Sequence, residues 1–331
     1  MFLSCSIDAQ YNTSIKETMY YKRFVSVLLF VCYSVLSKEA AAFQAHGRNE
    51  RISRPPILSS DRIGCFAEPG EATDDVLSNK ETRPQHIVFL GGGIFFYWQA
   101  GVVTFLRENG YDLSQTSATG ASAGALAATL TACDVDFYQA TDLALQMAKD
   151  AGVWDRSGGL QGIWGPMIRT WLDELLPENA VARMQARQTS LLVTPVPQLA
   201  KHRVSSFTNR NDLIDCNMAS VHLPLFLDGE WISTFRGTPC IDGSFLSSPC
   251  DYEPTDKNRD TIRLSHRLDE KYGSQSLLTF VKAISTDGIY EMIEDGKKYA
   301  KRMEEQGKLS AFPLLSTEAL QSSVSKEMVR R

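Results

Sequence analysis

The chain has 331 residues, of which 43% are hydrophobic, and a formal net charge of −5. This composition allows a full hydrophobic core and excludes a disordered or fibrous protein. Lys and Arg are scattered rather than grouped, so no segment offers the basic field that nucleic acid requires, and we predict no nucleic-acid partner.

The N-terminal residues have the pattern of a targeting leader. A Lys-Arg pair precedes the apolar run FVSVLLFVCYSVL, residues 24–36, which is too short for a comfortable bilayer span and is typical of a signal peptide. We therefore expect a signal peptide over residues 1–42, with cleavage after Ala42 and entry into the ER. An uncleaved signal anchor and a start at Met19 are the alternatives.

A different tract separates this leader from the rest of the chain. Residues 43–84 contain Arg and Ser, are interrupted by Pro and show no hydrophobic periodicity, which is typical of a transit segment or a flexible linker. The two segments together are similar to the bipartite presequences of algae whose plastids lie inside ER-derived membranes. Plastid targeting is thus one hypothesis, and plain entry into the secretory system is the other.

From about residue 85 onward, short apolar runs alternate with helical patterns, which indicates an α/β layer architecture. The sequence HIVFL, residues 86–90, predicts a buried strand, and the apolar spacing after it predicts a helix that ends at Asn109-Gly110. A weak strand and two helices are predicted next, at residues 114–120, 121–134 and 136–149.

The later part of the chain mixes shorter elements. The patterns predict a helix near 166–176, adjacent strands at 190–196 and 203–207, a helix capped by Asn211 or Asp212 that ends before Pro224, and a strand that runs into Asp242-Gly243. One long amphipathic helix is predicted within residues 285–307. We place the folded domain at residues 85–310 and expect residues 311–331 to be loosely ordered.

Cysteine and histidine do not indicate a cross-linked or metal-bound protein. The seven cysteines show no CxxC or other metal-ligand spacing, and the five histidines are dispersed. The sequence therefore predicts free thiols, no metal and no cofactor.

The segment TGASAGAL is the first candidate for chemistry. It contains Gly120-Ala121-Ser122-Ala123-Gly124, a G-x-S-x-G between a predicted strand and a predicted helix. A serine nucleophile needs such a turn, because its flanking glycines lie too close to the backbone for a Cβ and the following helix directs amides at the serine oxygen. A small-residue turn without function is the alternative, but the position at a helix start favours Ser122 as a nucleophile.

A serine nucleophile also needs donors for the oxyanion that forms during attack. Gly91, Gly92 and Gly93 join the first strand to the first helix and can turn several backbone amides inward. A dinucleotide-binding loop is a poorer interpretation because Phe96 stands where its third glycine is required. A P-loop would need Lys-Ser/Thr after its last glycine.

The sequence leaves alternatives for the base. Asp242 ends an apolar strand beside Gly243, and in a dyad its desolvated carboxylate would take the proton of Ser122 directly. A triad of Ser122, Asp242 and His266 is the second interpretation, but His266 lies in IRLSHRLDEKYG, a charged segment that we expect to be exposed. An ordinary Asp-Gly turn is the third.

Three motifs in this order resemble the patatin-like phospholipases: GGGIFFYWQAGV, then GASAG about thirty residues later, then IDGS about 120 residues after that. The resemblance covers roughly residues 85–250. The segments LDELLPENA and SSFTNRNDLIDCNMASVHLPLF are similar to the branch that contains adiponutrin and adipose triglyceride lipase. The resemblance implies a three-layer α/β/α fold with a mostly parallel central sheet.

The resemblance also implies a function: a serine hydrolase of the phospholipase A, lipase or galactolipase type that cleaves acyl esters of glycerolipids without a histidine. By position, Ser122 is the nucleophile and Asp242 the base. The implied oxyanion hole is formed by the amides of Gly91, Gly92, Gly93 and Ile94, and the motif is supported by Gly120, Gly124 and Gly243. The implied partners are a lipid substrate and a peripheral membrane or lipid-droplet surface. A non-hydrolytic lipid-binding or regulatory protein and an acyl-glycerol transacylase are the alternatives.

Two positions depart from the family pattern. Phe96 replaces the last glycine of G-x-G-x-x-G, which suggests a bulkier wall of the acyl site or a shifted helix. Ser244 follows Asp242-Gly243 where the family has Gly or Ala, which adds a hydroxyl beside the base. A group of aromatic residues is expected to line an acyl pocket or an interfacial surface, or else to pack in the core: Phe95, Phe96, Tyr97, Trp98, Trp154, Trp164 and Trp171.

Overall fold

The computed structural model describes residues 85–273 and 284–315. The predicted signal peptide, the tract at 43–84 and residues 316–331 lie outside these ranges. None of the helices in the described ranges is both long and apolar enough to cross a membrane.

A central β-sheet organises the described residues. Its seven strands are β1 Gln85–Phe89, β2 Ser117–Ala121, β3 Thr189–Pro195, β4 His202–Val204, β5 Ser233–Phe235, β6 Thr238–Ile241 and β7 Asp260–Leu264. The order is β5-β6-β3-β2-β1-β7, with β4 also paired to β3. β1 is parallel to β2 and β7, and β2 is parallel to β3, whereas β4, β5 and β6 pair in antiparallel fashion. The predicted α/β fold with a mostly parallel central sheet is confirmed.

Seven described α-helices accompany this sheet: α1 Phe96–Glu108, α2 Ala123–Ala132, α3 Phe137–Asp150, α4 Trp164–Leu175, α5 Ala180–Ala186, α6 Arg210–Ser220 and α7 Thr286–Glu305. All helices predicted within the described residues are present, whereas the sequence patterns do not predict α5, β5 or β7. The predicted stop of α1 is also confirmed, because Asn109 is its C-cap and Gly110 takes a φ of 75°.

The predicted cap of α6 is wrong by two or three residues. Asn209 is the N-cap, and its side chain accepts the amide N–H of Asp212 over 3.0 Å. Asp212 instead lies in the first turn and reaches back to accept the amide N–H of Thr208. The run Asn209-Arg210-Asn211-Asp212 contains three residues that can cap a helix, and the two hydrogen bonds of Asp212 fix the first of them as the cap.

The core lies mainly on one face of the sheet. Ile87, Phe89 and Leu191 on this face share one cluster with the buried side chains of the helices. On the opposite face, Val88 and Leu192 pack against Tyr252 of a short 3₁₀ turn. The main cluster also continues past the predicted domain end, since Phe312 is buried and packs edge-on against Tyr111. The described residues 311–315 therefore pack on the domain; the rest of the predicted tail lies outside them.

The helices α1 and α7 pack closely through facing glycines. A Cβ on Gly101 would lie 1.9 Å from the carbonyl oxygen of Ile293, and a Cβ on Gly296 would lie 2.1 Å from that of Trp98. The backbones of α1 and α7 are therefore in direct contact where the helices cross. Because α1 begins directly after the glycine loop, α7 supports the helix that positions that loop.

Candidate active site

Ser122 lies at the turn between β2 and α2, at the carboxyl edge of the parallel strands. Its backbone has φ 56° and ψ −133°, a conformation that non-glycine residues rarely adopt. Since α2 begins at the next residue, the amino end of a helix faces this serine. The serine is buried, with 8% of its surface exposed.

The two flanking glycines make this turn sterically feasible. A Cβ on Gly120 would lie 2.3 Å from the carbonyl oxygen of Gly124, and a Cβ on Gly124 would lie 2.1 Å from that of Phe89. Neither position admits a side chain unless the backbone moves. The glycines therefore allow the first turn of α2 to lie directly against β1 and β2.

Asp242 follows β6 and meets Ser122 across the end of the sheet. The Ser122 hydroxyl donates to Oδ2 of Asp242 over 2.6 Å. The Asp242 amide donates to the carbonyl of His222 over 2.8 Å, which anchors the start of the turn. The next residue of the turn is Gly243, where a side chain does not fit: a Cβ there would lie 1.9 Å from the carbonyl oxygen of Leu192. The predicted nucleophile and base are thus brought together, although their catalytic roles stay predictions.

The environment of Asp242 favours a basic carboxylate. Burial raises the pKa of Asp242 above its ordinary value, because the charged form loses hydration. Hydrogen bonds from Ser122 and Ser244 and the positive charge of Lys201 oppose that shift. A carboxylate with a raised pKa binds a proton more readily, and here it already accepts the hydrogen bond of the serine hydroxyl. The pair can therefore activate a hydroxyl without a histidine.

The glycine loop lies beside this pair. It enters a short 3₁₀ turn, Gly93–Phe95, with Gly93 at a φ of 55°. A Cβ on Gly91 would lie 3.1 Å from the Cβ of Ser122, so the loop passes close to the serine. Within the described residues, no acceptor pairs with the amides of Gly91–Ile94. These amides can therefore bind an anion that develops beside Ser122.

Ser220 belongs to the site although the sequence did not indicate it. Its hydroxyl accepts the amide N–H of Ser122 over 2.9 Å and donates to the carbonyl of Leu192 over 2.7 Å. The residue is fully buried at the end of α6. It connects the strained turn of the serine to β3, and the contact spans 98 residues of sequence, so no local pattern could reveal it.

Lys201 is a second residue that the sequence did not indicate. Its ammonium group donates to the hydroxyl of Thr194 over 2.8 Å and to the carbonyl of Phe245. Thr194 in turn donates to the carbonyl of Asp242 over 2.8 Å. Partial burial lowers the pKa of Lys201, and its positive charge favours the ionised form of Asp242.

The expectation that His266 lies in an exposed segment holds for most of the residues after it but not for the ring of His266 itself, which is partly buried. The residues before it form β7, which pairs with β1, and the His266 ring stacks on Phe95 with centroids 3.7 Å apart. Its Nδ1 lies 3.1 Å from where a Cβ on Gly92 would be, and burial lowers the pKa of His266 to about 4. In the described part of the chain it forms no hydrogen bond with Ser122 or Asp242. His266 therefore covers the glycine loop.

The other described histidines do not assemble a metal centre. His86 lies inside β1, where Nδ1 is 2.7 Å from the Ser117 hydroxyl, and burial lowers its pKa to about 4. His202 is exposed on β4, and His222 is buried after α6. Across residues 85–273 and 284–315, no three His, Cys, Asp or Glu side chains are grouped as a metal site.

A cavity of about 120 Å³ extends from Ser122 into the helical layer. Ser122 contributes to its lining, and almost all the other side chains around it are aliphatic or aromatic. They come from the glycine loop, α1, α2, α3, α4, α7, the segment between α3 and α4 and the loop after α6; examples are Leu126, Ala144, Ile168, Leu227 and Ile289. Such a lining suits a hydrocarbon chain whose carboxyl end lies at the serine.

Some of the aromatic residues line the cavity, and the others pack in the core. Those that line the cavity are Phe96, Tyr97, Trp154, Trp164 and Trp171. Phe95 instead stacks on His266, and Trp98 is fully buried and donates its indole N–H to Asp269 over 3.0 Å.

Phe96 replaces a glycine of the family pattern and becomes part of the cavity wall. Its ring packs near Phe137 and Trp171, with centroids 5.9 and 5.7 Å away. α1 still begins at this residue. The substitution therefore adds bulk to the cavity wall and fixes it within an aromatic cluster.

This chain is similar to a known protein family and to several individual proteins. A model described as "Patatin; Patatin-like phospholipase" matches residues 87–253. Proteins named omega-hydroxyceramide transacylase from Mus musculus and Homo sapiens are 27% and 26% identical over 185 and 183 residues. Each match covers 54% of this chain but only 30% and 34% of the relative, so the chain spans about a third of their length. The crystal structure of VipD from Legionella pneumophila aligns with a TM-score of 0.29 and 16% identity, over 55% of this chain and 49% of that one.

Proposed function

This chain belongs to the patatin-like phospholipase family, whose members are lipid-acting enzymes, and we propose that it is a serine acyl hydrolase that cleaves fatty acyl esters of glycerolipids. The observation that carries the proposal is the 2.6 Å hydrogen bond from Ser122 Oγ to Asp242 Oδ2 beside an apolar cavity. The family alone implies acyl hydrolysis or acyl transfer. Three parts of the proposal go further: that Ser122 and Asp242 form the catalytic dyad, that water accepts the acyl group, and that the substrate is a glycerolipid.

The reaction begins with transfer of the Ser122 hydroxyl proton to Asp242 as Oγ attacks the ester carbonyl. The carbonyl oxygen becomes an oxyanion and accepts hydrogen bonds from the amides of Gly91–Ile94. The tetrahedral intermediate collapses, the C–O bond of the ester breaks, and the leaving alcohol takes the proton from Asp242. An acyl ester of Ser122 remains.

The second half of the reaction repeats these steps with water. Asp242 accepts a proton from water as its oxygen attacks the acyl carbonyl, and the oxyanion again binds at Gly91–Ile94. Collapse breaks the bond to Ser122 Oγ, which recovers the proton, and the fatty acid leaves.

The apolar cavity supports the proposal that the protein recognises its substrate by a long acyl chain. Its walls are apolar, so a fatty chain is transferred from water to hydrocarbon surroundings, at about 25 cal/mol for each Å² of apolar surface removed from water. The carboxyl end of that chain then meets Ser122, which lines the same cavity.

The test uses purified full-length protein and a set of phospholipid, galactolipid and triacylglycerol substrates in mixed vesicles. We expect fatty acid release by the wild type, loss of more than about a hundredfold in Ser122→Ala and in Asp242→Asn, and little change in Ser247→Ala. A fluorophosphonate should label Ser122 covalently. Lipid binding without labelling or release would instead support the non-hydrolytic alternative.

A variant of the cavity tests the assignment of the acyl site. Ala144 lines the cavity from α3, whereas Gln146 on the same helix is exposed. We expect Ala144→Phe to reduce the rate on long-chain esters more than on short-chain esters, because the added ring occupies the chain's path. Gln146→Phe is the matched control and should leave this ratio unchanged. An unchanged ratio in Ala144→Phe contradicts the assignment.

Acyl transfer is the second candidate, since both curated relatives are named transacylases. The chemistry differs only in the second half, where an alcohol rather than water attacks the acyl group on Ser122. Product analysis with and without a long-chain alcohol, a monoacylglycerol or an ω-hydroxyacyl amide distinguishes the two. Ester formation at the expense of free fatty acid would assign the protein as a transacylase.

A further inference from the structure

The carboxylate of Asp242 is held at both of its oxygens. Oδ2 accepts the hydroxyl of Ser122 over 2.6 Å. Oδ1 accepts two hydrogen bonds from Ser244, one from the backbone amide over 2.8 Å and one from the hydroxyl over 2.6 Å. The base therefore lies between two serine hydroxyls, only one of which has a role in the proposed reaction.

Ser244 also contacts the glycine loop. The position that a Cβ on Gly91 would occupy lies 2.6 Å from the Cβ of Ser244 and 2.7 Å from its Oγ. The same position lies 3.1 Å from the Cβ of Ser122. Ser244 thus packs against the loop that carries the candidate oxyanion amides while it binds the candidate base.

We propose that Ser244 is a positioning residue that locks the rotation of the Asp242 carboxylate, so that Oδ2 faces Ser122 in one half of the reaction and water in the other. This inference rests on the proposed function. The terminal torsion of aspartate has a broad energy profile, so a single amide bond to Oδ1 leaves the carboxylate free to rock about that contact. The second donor, the hydroxyl, removes this freedom. Glycine or alanine at position 244 would offer the amide alone.

The hydroxyl has a second effect that can be measured. A donor to the charged carboxylate stabilises it and lowers the pKa of Asp242, in opposition to the rise caused by burial. Removing the hydroxyl therefore raises that pKa further. Since the proposed base acts as the carboxylate, the acid limb of the rate profile must move to higher pH.

The decisive variant is Ser244→Ala, which removes the hydroxyl and keeps the Cβ that packs against Gly91. We expect the apparent pKa of the acid limb of kcat/KM to be higher than in wild type by about one pH unit. The rate of the variant relative to wild type should therefore fall as the pH is lowered. The effect should lie mainly in kcat. Ser247→Ala is the matched control, because Ser247 is in the same loop and its hydroxyl bonds to Ser244 and Tyr252 rather than to the carboxylate.

A readout without turnover separates this inference from the proposed function. The carboxyl carbon of Asp242 is followed by NMR in full-length protein labelled with [4-¹³C]aspartate, its signal identified by its loss in Asp242→Asn. A higher titration midpoint in Ser244→Ala than in wild type supports the role of Ser244 even in a protein that hydrolyses no ester. Equal midpoints, or a rate reduced by the same factor at every pH, overturn it.

Discussion

The contact between α1 and α7 makes Gly296→Ala a sharp test of the packing that supports the site. A Cβ on Gly296 would lie 2.1 Å from the carbonyl oxygen of Trp98, whereas real Cβ atoms essentially never approach closer than 3.0 Å. The obstacle is backbone within α1, which cannot change its rotamer. The two helices must therefore separate by about 1 Å along much of their contact, which loosens a close-packed interface.

We expect Gly296→Ala to lower the free energy of unfolding by about 3 kcal/mol, the upper end of the usual range for overpacking a core. In a domain of this size the melting temperature should fall by roughly 6–12 °C. Urea unfolding and calorimetry of the full-length protein at neutral pH measure both quantities.

Gly288→Ala is the matched control in the same helix. The nearest atom to a Cβ at this position is the hydroxyl oxygen of Ser285, 3.3 Å away, which is a side-chain contact. Alanine favours helix over glycine by up to about 1 kcal/mol, so this variant should be unchanged or slightly more stable. A Gly296→Ala protein as stable as the wild type, or equal losses in both variants, would refute the reasoning.

Titration and hydrogen bonding at the site give three further expected outcomes. Burial raises the pKa of Asp242, so the folded state binds that proton more tightly than the unfolded state and loses stability as pH rises through this range. Asp242→Asn should accordingly melt higher than wild type at pH 7 and lose this advantage below about pH 4; a lower melting temperature at pH 7 would contradict the shift. For His266, whose pKa falls from 6.5 to about 4 on burial, the unfolded state binds more protons, so stability is lost as pH drops between these values. His266→Phe keeps a ring on Phe95 and should reduce that slope, with the remainder due to His86, whose pKa is lowered in the same way. An unaltered slope would show that His266 does not contribute to it. Ser220→Ala removes the hydrogen bonds to the amide of Ser122 and to the carbonyl of Leu192, and we expect a loss of about 2–3 kcal/mol in urea unfolding together with slower ester hydrolysis. A loss of stability with an unchanged rate would limit Ser220 to a structural role.

Most of the predicted elements depended on local signals. The run HIVFL is buried in β1, and Asn109-Gly110 ends α1 because glycine accepts the positive φ required there. The strand before Asp242 and the turn at Gly243 are predictable in the same way, since apolar residues and an Asp-Gly pair mark them directly. These features require only neighbouring residues.

Other features could not be predicted because they depend on distant segments. The charged sequence around His266 is typical of an exposed loop, yet the residues before it form β7, which pairs with β1 through hydrogen bonds that no local pattern indicates. The sequence misplaces the cap of α6 because three residues within four positions suit a cap, and only the hydrogen bond from the Asp212 amide to the Asn209 side chain identifies Asn209. The local residue pattern is therefore ambiguous at the cap of α6, and at β7 it does not indicate the pairing with β1.

The sequence by itself determined the chemical groups of the site. The order of GGG, GASAG and IDGS specified a glycine loop, a serine at a helix start and an aspartate at a strand end, because each group needs its own local backbone geometry. The family followed from the same three segments and is supported by the match over residues 87–253.

Only the tertiary structure decided how these groups meet. The 2.6 Å contact of Ser122 with Asp242 joins residues 120 positions apart, and the hydroxyl of Ser220 reaches the amide of Ser122 from a third segment, 98 positions away. The apolar cavity likewise requires helices from separate parts of the chain. Distances between such segments arise from the packing of the whole sheet and its helices, so no single stretch of sequence contains them.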